Sequence, residues 1–345
     1  VSEETFLVNE NKDLNILAHA STLENLEDKE KKYEVVTKEF SKIKGLRYSD
    51  FTLSSKLNPA QYRKMDNFSK MIANTVAKAI ERSSLDLKKL DLNKVGILFT
   101  TSSGPIEVVE DIEKQLRLDG YKQVSAAKFP FTVMNAAAGM LSILFKIKGP
   151  VSVIASNVGF IDGVTYAEEM MKNEKLSHVL LVSATQWTDL SLLAWEKLGY
   201  DANAFTPADY CHAAVIGGES EERTPRFIGI EQLKYDNKVH SQIDVKGWFI
   251  NTLHKNISNL RISATDIKKI IWNSNKKTAT IEYEMFQELS MEREFPFLEV
   301  DLGFSSDGAG EELDFVLNNK EFQGGIYVIA SYSRFGGFSL MFIEK

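Results

Sequence analysis

A series of short apolar segments separated by helix-length stretches constrains this chain more than any other feature. KVGILFTTSSG at residues 94–104, VSVIAS at 151–156 and HVLLVSAT at 178–185 are rich in β-branched and aliphatic residues and bounded by small or turn-forming ones, which is how buried strands read. Between them a helix is expected from about Ile106 to Leu118. An alanine-rich helix over 132–147 follows, stopped by Gly149-Pro150, and a third runs from Ile161 to Met171. The alanine-rich segment is apolar on most sides and is expected to be buried. Strand–helix–strand alternation of this kind argues for an α/β fold around a central sheet.

The flanking regions extend the pattern. Residues 58–83 form an amphipathic helix with Met65, Phe68, Ile72, Val76 and Ile80 on one face and Pro59 near its start. Residues 1–50 say less: LVNENKDLNILAHAS fits an edge strand, and ENLEDKEKKYEVVTKEF carries helical charge pairing. A loop is expected from about Trp187 to Tyr210, followed by a strand at AAVIGG. RFIGIEQLKYD then opens a second half. That half holds helices over 243–257, 279–291 and 307–318, a strand at KIIWNS, and a closing antiparallel pair, GGIYVIASY and GFSLMFIE. The two halves show a loosely similar order, as an internal duplication would.

Composition excludes several classes. The 345 residues are 43% hydrophobic and 26% charged, with a formal net charge of −7 and no basic stripe, so no nucleic-acid partner is expected. One cysteine, Cys211, rules out an internal disulfide framework or a multi-cysteine metal site. VSEETFLVNENK has neither a basic n-region nor an apolar core, so no signal peptide is expected. The longest apolar stretch, near AAAGMLSILF, is too short to insert in a bilayer. A cytoplasmic location is therefore expected. SSG at 102–104 and GGIY at 324–327 lack a phosphate-loop lysine, and no cofactor is expected.

Few side chains offer chemistry. Cys211 and His212 are adjacent on a strand and point to opposite faces, so they cannot pair as nucleophile and base, and Cys211 reads as a small buried hydrophobe. His19, His178, His240 and His254 are scattered without metal-ligand spacing, and surface or capping roles and no metal site are expected. The acid pairs Glu168-Glu169 and Glu311-Glu312 read as solvated helix faces.

Several segments, in one order, resemble the β-ketoacyl-(acyl carrier protein) synthases. RKMDNFSKMIANTVAKAIE at 63–81 resembles that family's arginine-methionine-aspartate helix, and KVGILFTTSSG its first core strand and turn. FPFTVMNAAAGMLSILFKIKGP resembles the segment before the nucleophile strand. HVLLVSAT, FTPADYCHAAVIGGE, LGFSSDGAG and SYSRFGGFS follow in the family's order. The likeness runs over roughly residues 45–345. It implies a thiolase-like layered α-β-α-β-α fold of two similar halves, residues 1–225 and 226–345.

The family's chemistry needs a cysteine thiolate at a buried helix N-terminus and two histidines that hydrogen-bond the developing enolate. By resemblance those positions fall on Val158, Ser274 and Phe304. None can do the work, so no independent condensing activity is expected. The reading is a chain-length-factor-like subunit that pairs with an active ketosynthase as a heterodimer, meets acyl carrier protein and shapes an acyl tunnel in polyketide, aryl-polyene or fatty-acid-type biosynthesis. Tunnel candidates are Phe131, Met134, Phe160 and Phe335. Dimer-interface candidates are Phe129, Thr132, Asn135, Val151 and Val153. Two alternatives stand beside it. One is a non-catalytic homodimeric scaffold that binds carrier protein or lipid. The other is an enzyme with repurposed acyl-transfer chemistry using Ser156, Ser274, Ser305 or Cys211.

Overall fold

A computed structural model describes residues 2–6, 14–22, 32–38, 41–83, 85–156, 159–198, 206–217, 224–234, 244–273, 280–292, 294–302, 309–332 and 338–345. Strands β1 (Ser2–Phe6), β2 (Leu14–Ser21), β3 (Tyr33–Lys38) and β4 (Ser41–Tyr48) come first. A single turn, α1 (Pro59–Tyr62), and then α2 (Asn67–Arg82) lead to β5 (Val95–Thr101). There follow α3 (Ile106–Asp119), α4 (Ala136–Phe145), β6 (Val151–Ala155), α5 (Phe160–Asn173), β7 (His178–Thr185), α6 (Asp189–Lys197) and β8 (Tyr210–Gly217). The chain continues through β9 (Arg226–Lys234), α7 (Val245–Asn259), β10 (Ile267–Asn273), α8 (Thr280–Glu292), β11 (Phe297–Val300), α9 (Gly310–Asn318), β12 (Ile326–Tyr332) and β13 (Phe338–Glu344).

The strand order contains a repeat. From the N-terminal edge inwards the sheet reads β6-β5-β7-β8-β2, and from the other edge β11-β10-β12-β13-β9. Numbered within each set, both read third, second, fourth, fifth, first. The pairing senses agree as well. The second strand is parallel to the third and the fourth (β5 with β6 and β7; β10 with β11 and β12), and the fifth is antiparallel to the fourth and the first. Among the described residues, β2 and β9 join the arrays through two register pairs, Leu14 with Phe227 and Asn15 with Arg226.

Alternation along the C-terminal strands sets the layers. Ile271, Ile329, Met341 and Ile343 face the core that holds Phe160, Ile161 and Val164 of α5 and Leu313 and Val316 of α9. Their neighbours Ile270, Trp272, Val328, Leu340 and Phe342 face a second core with Phe249 of α7 and Phe286 of α8. Period-two side chains thus serve two helical layers from one sheet. The N-terminal strands pack on α2, α4 and the α5/α9 layer, which completes an α-β-α-β-α stack. Gly163 lets α5 come close to β7: a Cβ there would lie 2.5 Å from Leu181 Cδ1.

Several expectations need correction. The 58–83 helix is broken between α1 and α2, where Asp66 caps α2 by accepting from the Ser69 amide; the predicted face is buried throughout. β2 is an interior strand between β8 and β9, because its alternating pattern buries one face while both edges are paired. The charged stretch YEVVTK forms strand β3, paired with β4, since cross-strand partners outweigh its local charge pairing. The expected loop after Trp187 contains α6, which starts with a capping box at Thr188 and Ser191. The alanine-rich helix is shorter than expected and only half-buried: Ala137, Ala138, Leu141 and Phe145 face inwards, while Ile143 is 58% exposed. Glu311 and Glu312 are buried in the first turn of α9, where the helix dipole favours anions.

Candidate functional site

The strand-to-helix turn from β6 into α5 is the position that the resemblance assigns to a nucleophile. It spans residues 156–159, Ser-Asn-Val-Gly. Gly159 has φ +44°, a backbone conformation that favours glycine. Ser156 Oγ donates to Asp162 Oδ2 at 2.6 Å and accepts from the Gly159 amide at 2.9 Å. Gln232 Nε2 holds the other carboxylate oxygen of Asp162 at 2.9 Å. The Ser156 hydroxyl is therefore committed to building the turn. Val158, Ser274, Ser305, Phe304 and Phe335 lie outside the described residues. The parallel strands β10, β11 and β12 do end at one sheet edge, at Asn273, Val300 and Tyr332.

Cys211 is fully buried on β8, and burial pushes its thiol up to about 12. A thiol held so far above neutral pH is a poor nucleophile. Its neighbour His212 faces the opposite side. There the fold gathers residues from three distant parts of the chain: Nδ1 of His212 lies 3.0 Å and Nδ1 of His19 3.2 Å from Asp314 Oδ1. The two imidazoles stack with centroids 5.8 Å apart, and Tyr210 donates its hydroxyl to Asp314 Oδ2. Burial would raise the Asp314 carboxyl, but the adjacent imidazoles outweigh it and hold the group well below the usual carboxylate range. His19 is thus no surface residue, and the expectation of scattered histidines fails here. The available signal was a histidine within each of two otherwise half-buried or apolar strand runs, LNILAHAS and YCHAAVIG.

Of the tunnel candidates, Phe160 is fully buried against His212 (4.7 Å) and Phe227 (6.1 Å). Phe131 packs on the main core, and Met134 covers the Gly104 turn that ends β5. The three do not meet in any groove described below. The interface candidates occupy one region. Among the described residues β6 is an edge strand paired only to β5, with Val151 40% exposed and Val153 half-buried. The segment leading into α4 exposes Phe129 and Asn135 and half-buries Thr132, and α4 packs on β5 and β6. A separate apolar groove of about 450 Å³ lies between α3 and α6, lined by Ile106, Val109, Leu190, Trp195 and Leu198.

An aspartate latch lies beside this groove. Asp209 accepts from the Trp187 amide (2.7 Å) and the Tyr48 amide (3.2 Å), and so fixes the β3–β4 hairpin to the end of β7. Burial pushes its carboxyl up to about 7 against those hydrogen bonds and nearby Arg47.

Residues 16–157 match the beta-ketoacyl synthase N-terminal domain. The 3-oxoacyl-[acyl-carrier-protein] synthase 2 of Coxiella burnetii is 25% identical over 123 residues, 35% of this chain and 30% of that protein. Its counterpart in Synechocystis is 27% identical over 106 residues, 31% of this chain and 26% of that protein. The matched stretches thus span less than a third of these relatives. Among solved structures, the ishigamide ketosynthase/chain length factor superposes with a TM-score of 0.73 at 16% identity, covering 96% of this chain and 99% of that one. The ketosynthase complex AntDE:AntF, described as a type II polyketide synthase acyl-carrier protein with its ketosynthase, gives 0.70 at 18%, covering 97% and 99%. Residues 16–157 are thus similar to the N-terminal domain of the beta-ketoacyl synthases, and the fold of the chain as a whole is that of the thiolase-fold ketosynthases. No helix among the described residues is long and apolar enough to cross a membrane.

Proposed function

We propose that this chain is a non-condensing ketosynthase-like subunit, a chain-length factor, that pairs through β6 and residues 129–135 with a cysteine-bearing ketosynthase and shapes the acyl tunnel of the pair. The observation that carries the reading is the β6–α5 turn. Whatever the register of the resemblance, Ser-Asn-Val-Gly offers one nucleophilic atom there, and the Ser156 hydroxyl is held by Asp162 and the Gly159 amide. Without a thiolate at that helix N-terminus there is no acyl carrier for condensation. The replacement of both histidine positions, by Ser274 and Phe304, supports the same conclusion.

An acyl carrier protein and a synthase subunit are the partners this role requires; AntDE:AntF is an assembly of that kind. The repeated strand order supports a further proposal, that residues 1–225 and 226–345 are two ketosynthase-like halves. A homodimeric scaffold would use the same exposed edge, so native mass separates the readings. Purified from its own host, the chain is expected to run as a complex with a second, cysteine-bearing subunit. Incubated alone with an acyl-carrier-protein thioester, it is expected to take up no acyl group. A self-dimer with no affinity for a synthase would replace this reading with the scaffold. Acyl labelling at Ser156 would replace it with repurposed acyl-transfer chemistry.

A further inference from the structure

We propose that His19, His212 and Asp314 form a binding site for one divalent transition-metal ion, for which Zn²⁺ is the natural probe. The three ligand atoms lie within 4.8 Å of one another, on β2, β8 and α9. Metal–ligand bonds of about 2.0–2.2 Å at angles between about 90° and 110° put neighbouring ligand atoms roughly 2.9–3.5 Å apart. The two nitrogen–oxygen distances here, 3.0 and 3.2 Å, fall within that range. A hydrogen-bonded His–Asp pair has the same spacing, and His19 Nδ1 meets hydrogen-bond geometry to Asp314 Oδ1, so the direction at His212 is what favours an ion. His212 is fully buried, yet neither ring nitrogen reaches a hydrogen-bond partner with acceptable geometry, although Asp314 Oδ1 is 3.0 Å from Nδ1. In a ligated pair the nitrogen lone pair points at the ion and the carboxylate oxygen lies obliquely to it.

The surroundings prepare the donors. Tyr210 occupies Asp314 Oδ2 through its hydroxyl, which leaves Oδ1 as a one-oxygen ligand aimed at the imidazoles, a common device around metal sites. Phe160 stands edge-on to His212 and fixes the ring plane. Gly310 admits α9 to the strand: a Cβ there would lie 3.1 Å from the Tyr210 ring and 3.3 Å from His212 Cβ. Two imidazoles and one carboxylate are a donor set suited to zinc and its neighbours. The His19 side chain is 16% exposed, which gives a route in. The ion would tie the first strand of the N-terminal array to the central helix layer, a role independent of the pairing proposed above.

The test uses untagged full-length chain, stripped with chelator, desalted and titrated with Zn²⁺ or Co²⁺. One equivalent of zinc is expected by native mass spectrometry, with a visible Co²⁺ ligand-field band that zinc abolishes and a thermal midpoint that zinc raises. His212→Ala and His19→Ala are expected to lose the equivalent, and His254→Ala to keep it. Tyr210→Phe is expected to weaken zinc binding roughly 10- to 100-fold while the Co²⁺ band persists at saturation. Wild-type chain that holds no stoichiometric ion and shows no Co²⁺ band would overturn the site. So would zinc retention undiminished in the histidine variants. The wild-type titration decides even if a variant fails to fold.

Discussion

The two five-strand arrays share one topology but finish their outer edges differently. The N-terminal array ends in β6, VSVIA, which has no charge and leaves Val151 exposed. The C-terminal array ends in β11, FLEV, whose exposed Glu299 accepts from Gln287 of α8. The helices that lead into the third strand, β6 or β11, differ in the same way. α4 is AAAGMLSILF, without a charge, whereas α8 is TIEYEMFQELSME, with four glutamates. Charged side chains guard an edge against further pairing, and an uncharged apolar edge invites it. The C-terminal edge carries charge, and the N-terminal edge is the uncharged one on which the proposed pairing would form.

The strongest way to break this comparison is to guard the open edge. Val151→Lys should abolish association with a synthase partner, because burying an unpaired ammonium costs several kcal/mol, a loss of well over ten-fold in affinity. Native mass would show the free chain, with its own melting point little changed. Persistence of the complex would remove β6 from the interface. Glu299→Val on the guarded edge should leave the pairing intact.

The second test asks whether the arrays are separate folding units. Phe286 stacks on Trp272 at 5.0 Å and meets Phe249 and Phe338 edgewise or tilted in the outer C-terminal core. Phe286→Ala should cost about 3–5 kcal/mol. Since the α5/α9 layer draws side chains from both arrays, one cooperative transition is expected to shift as a whole in calorimetry and urea unfolding. Two transitions, one of them unmoved, would make the halves independent domains.

A third difference is the β3–β4 hairpin, inserted between β2 and α2, whereas residues 235–244 suffice between β9 and α7. Asp209 latches that hairpin with a folded-state value of about 7 against an ordinary 3.8. The stabilisation that its protonated form permits is complete below the unfolded value and is lost as pH rises through about 7. Stability should therefore fall between pH 4 and 8 by an amount on the order of a few kcal/mol. Asp209→Asn should flatten that slope in urea titrations at each pH. An unchanged slope would assign the pH dependence to other groups.

What the sequence discloses and what it conceals follow from the range of the interactions. The strands of the β-α-β run and the buried face Met65, Phe68, Ile72, Val76 and Ile80 are periodic over a few residues, so local pattern suffices. Strand β3 has no local sign because its backbone pairing with β4 is made across the hairpin, while its charge spacing alone fits a helix. Glu311 and Glu312 escaped because a glutamate pair reads as surface unless the buried helix end that holds it is known. The cluster of His19, His212 and Asp314 has only a faint local sign, a histidine in each of two strand runs, because three separate elements must pack before its spacing exists. The turn to which the resemblance assigns a nucleophile can, in contrast, be located from local pattern, because it sits between two well-patterned elements, β6 and α5.

The smallest expected effect tests the repeat itself. α2 and α7 occupy equivalent places, each following the first strand of its array and preceding the second. Each begins on an aspartate that accepts the amide of the third helical residue, Asp66 from Ser69 at 3.3 Å and Asp244 from Gly247 at 2.7 Å. Such a cap is worth roughly 0.5–2 kcal/mol. If the two helices are equivalents in mechanics as well as in topology, Asp66→Ala and Asp244→Ala should each lower global stability by about 1 kcal/mol, and the double variant by the sum, since the sites share no partner. The exposed Asp244 keeps its full capping benefit, while burial raises the Asp66 carboxyl above its ordinary value despite the cap and so offsets part of its gain. Asp244→Ala is therefore expected to cost slightly more, and a markedly larger loss at Asp66 would mean that its side chain supports the α1–α2 break as well as the helix.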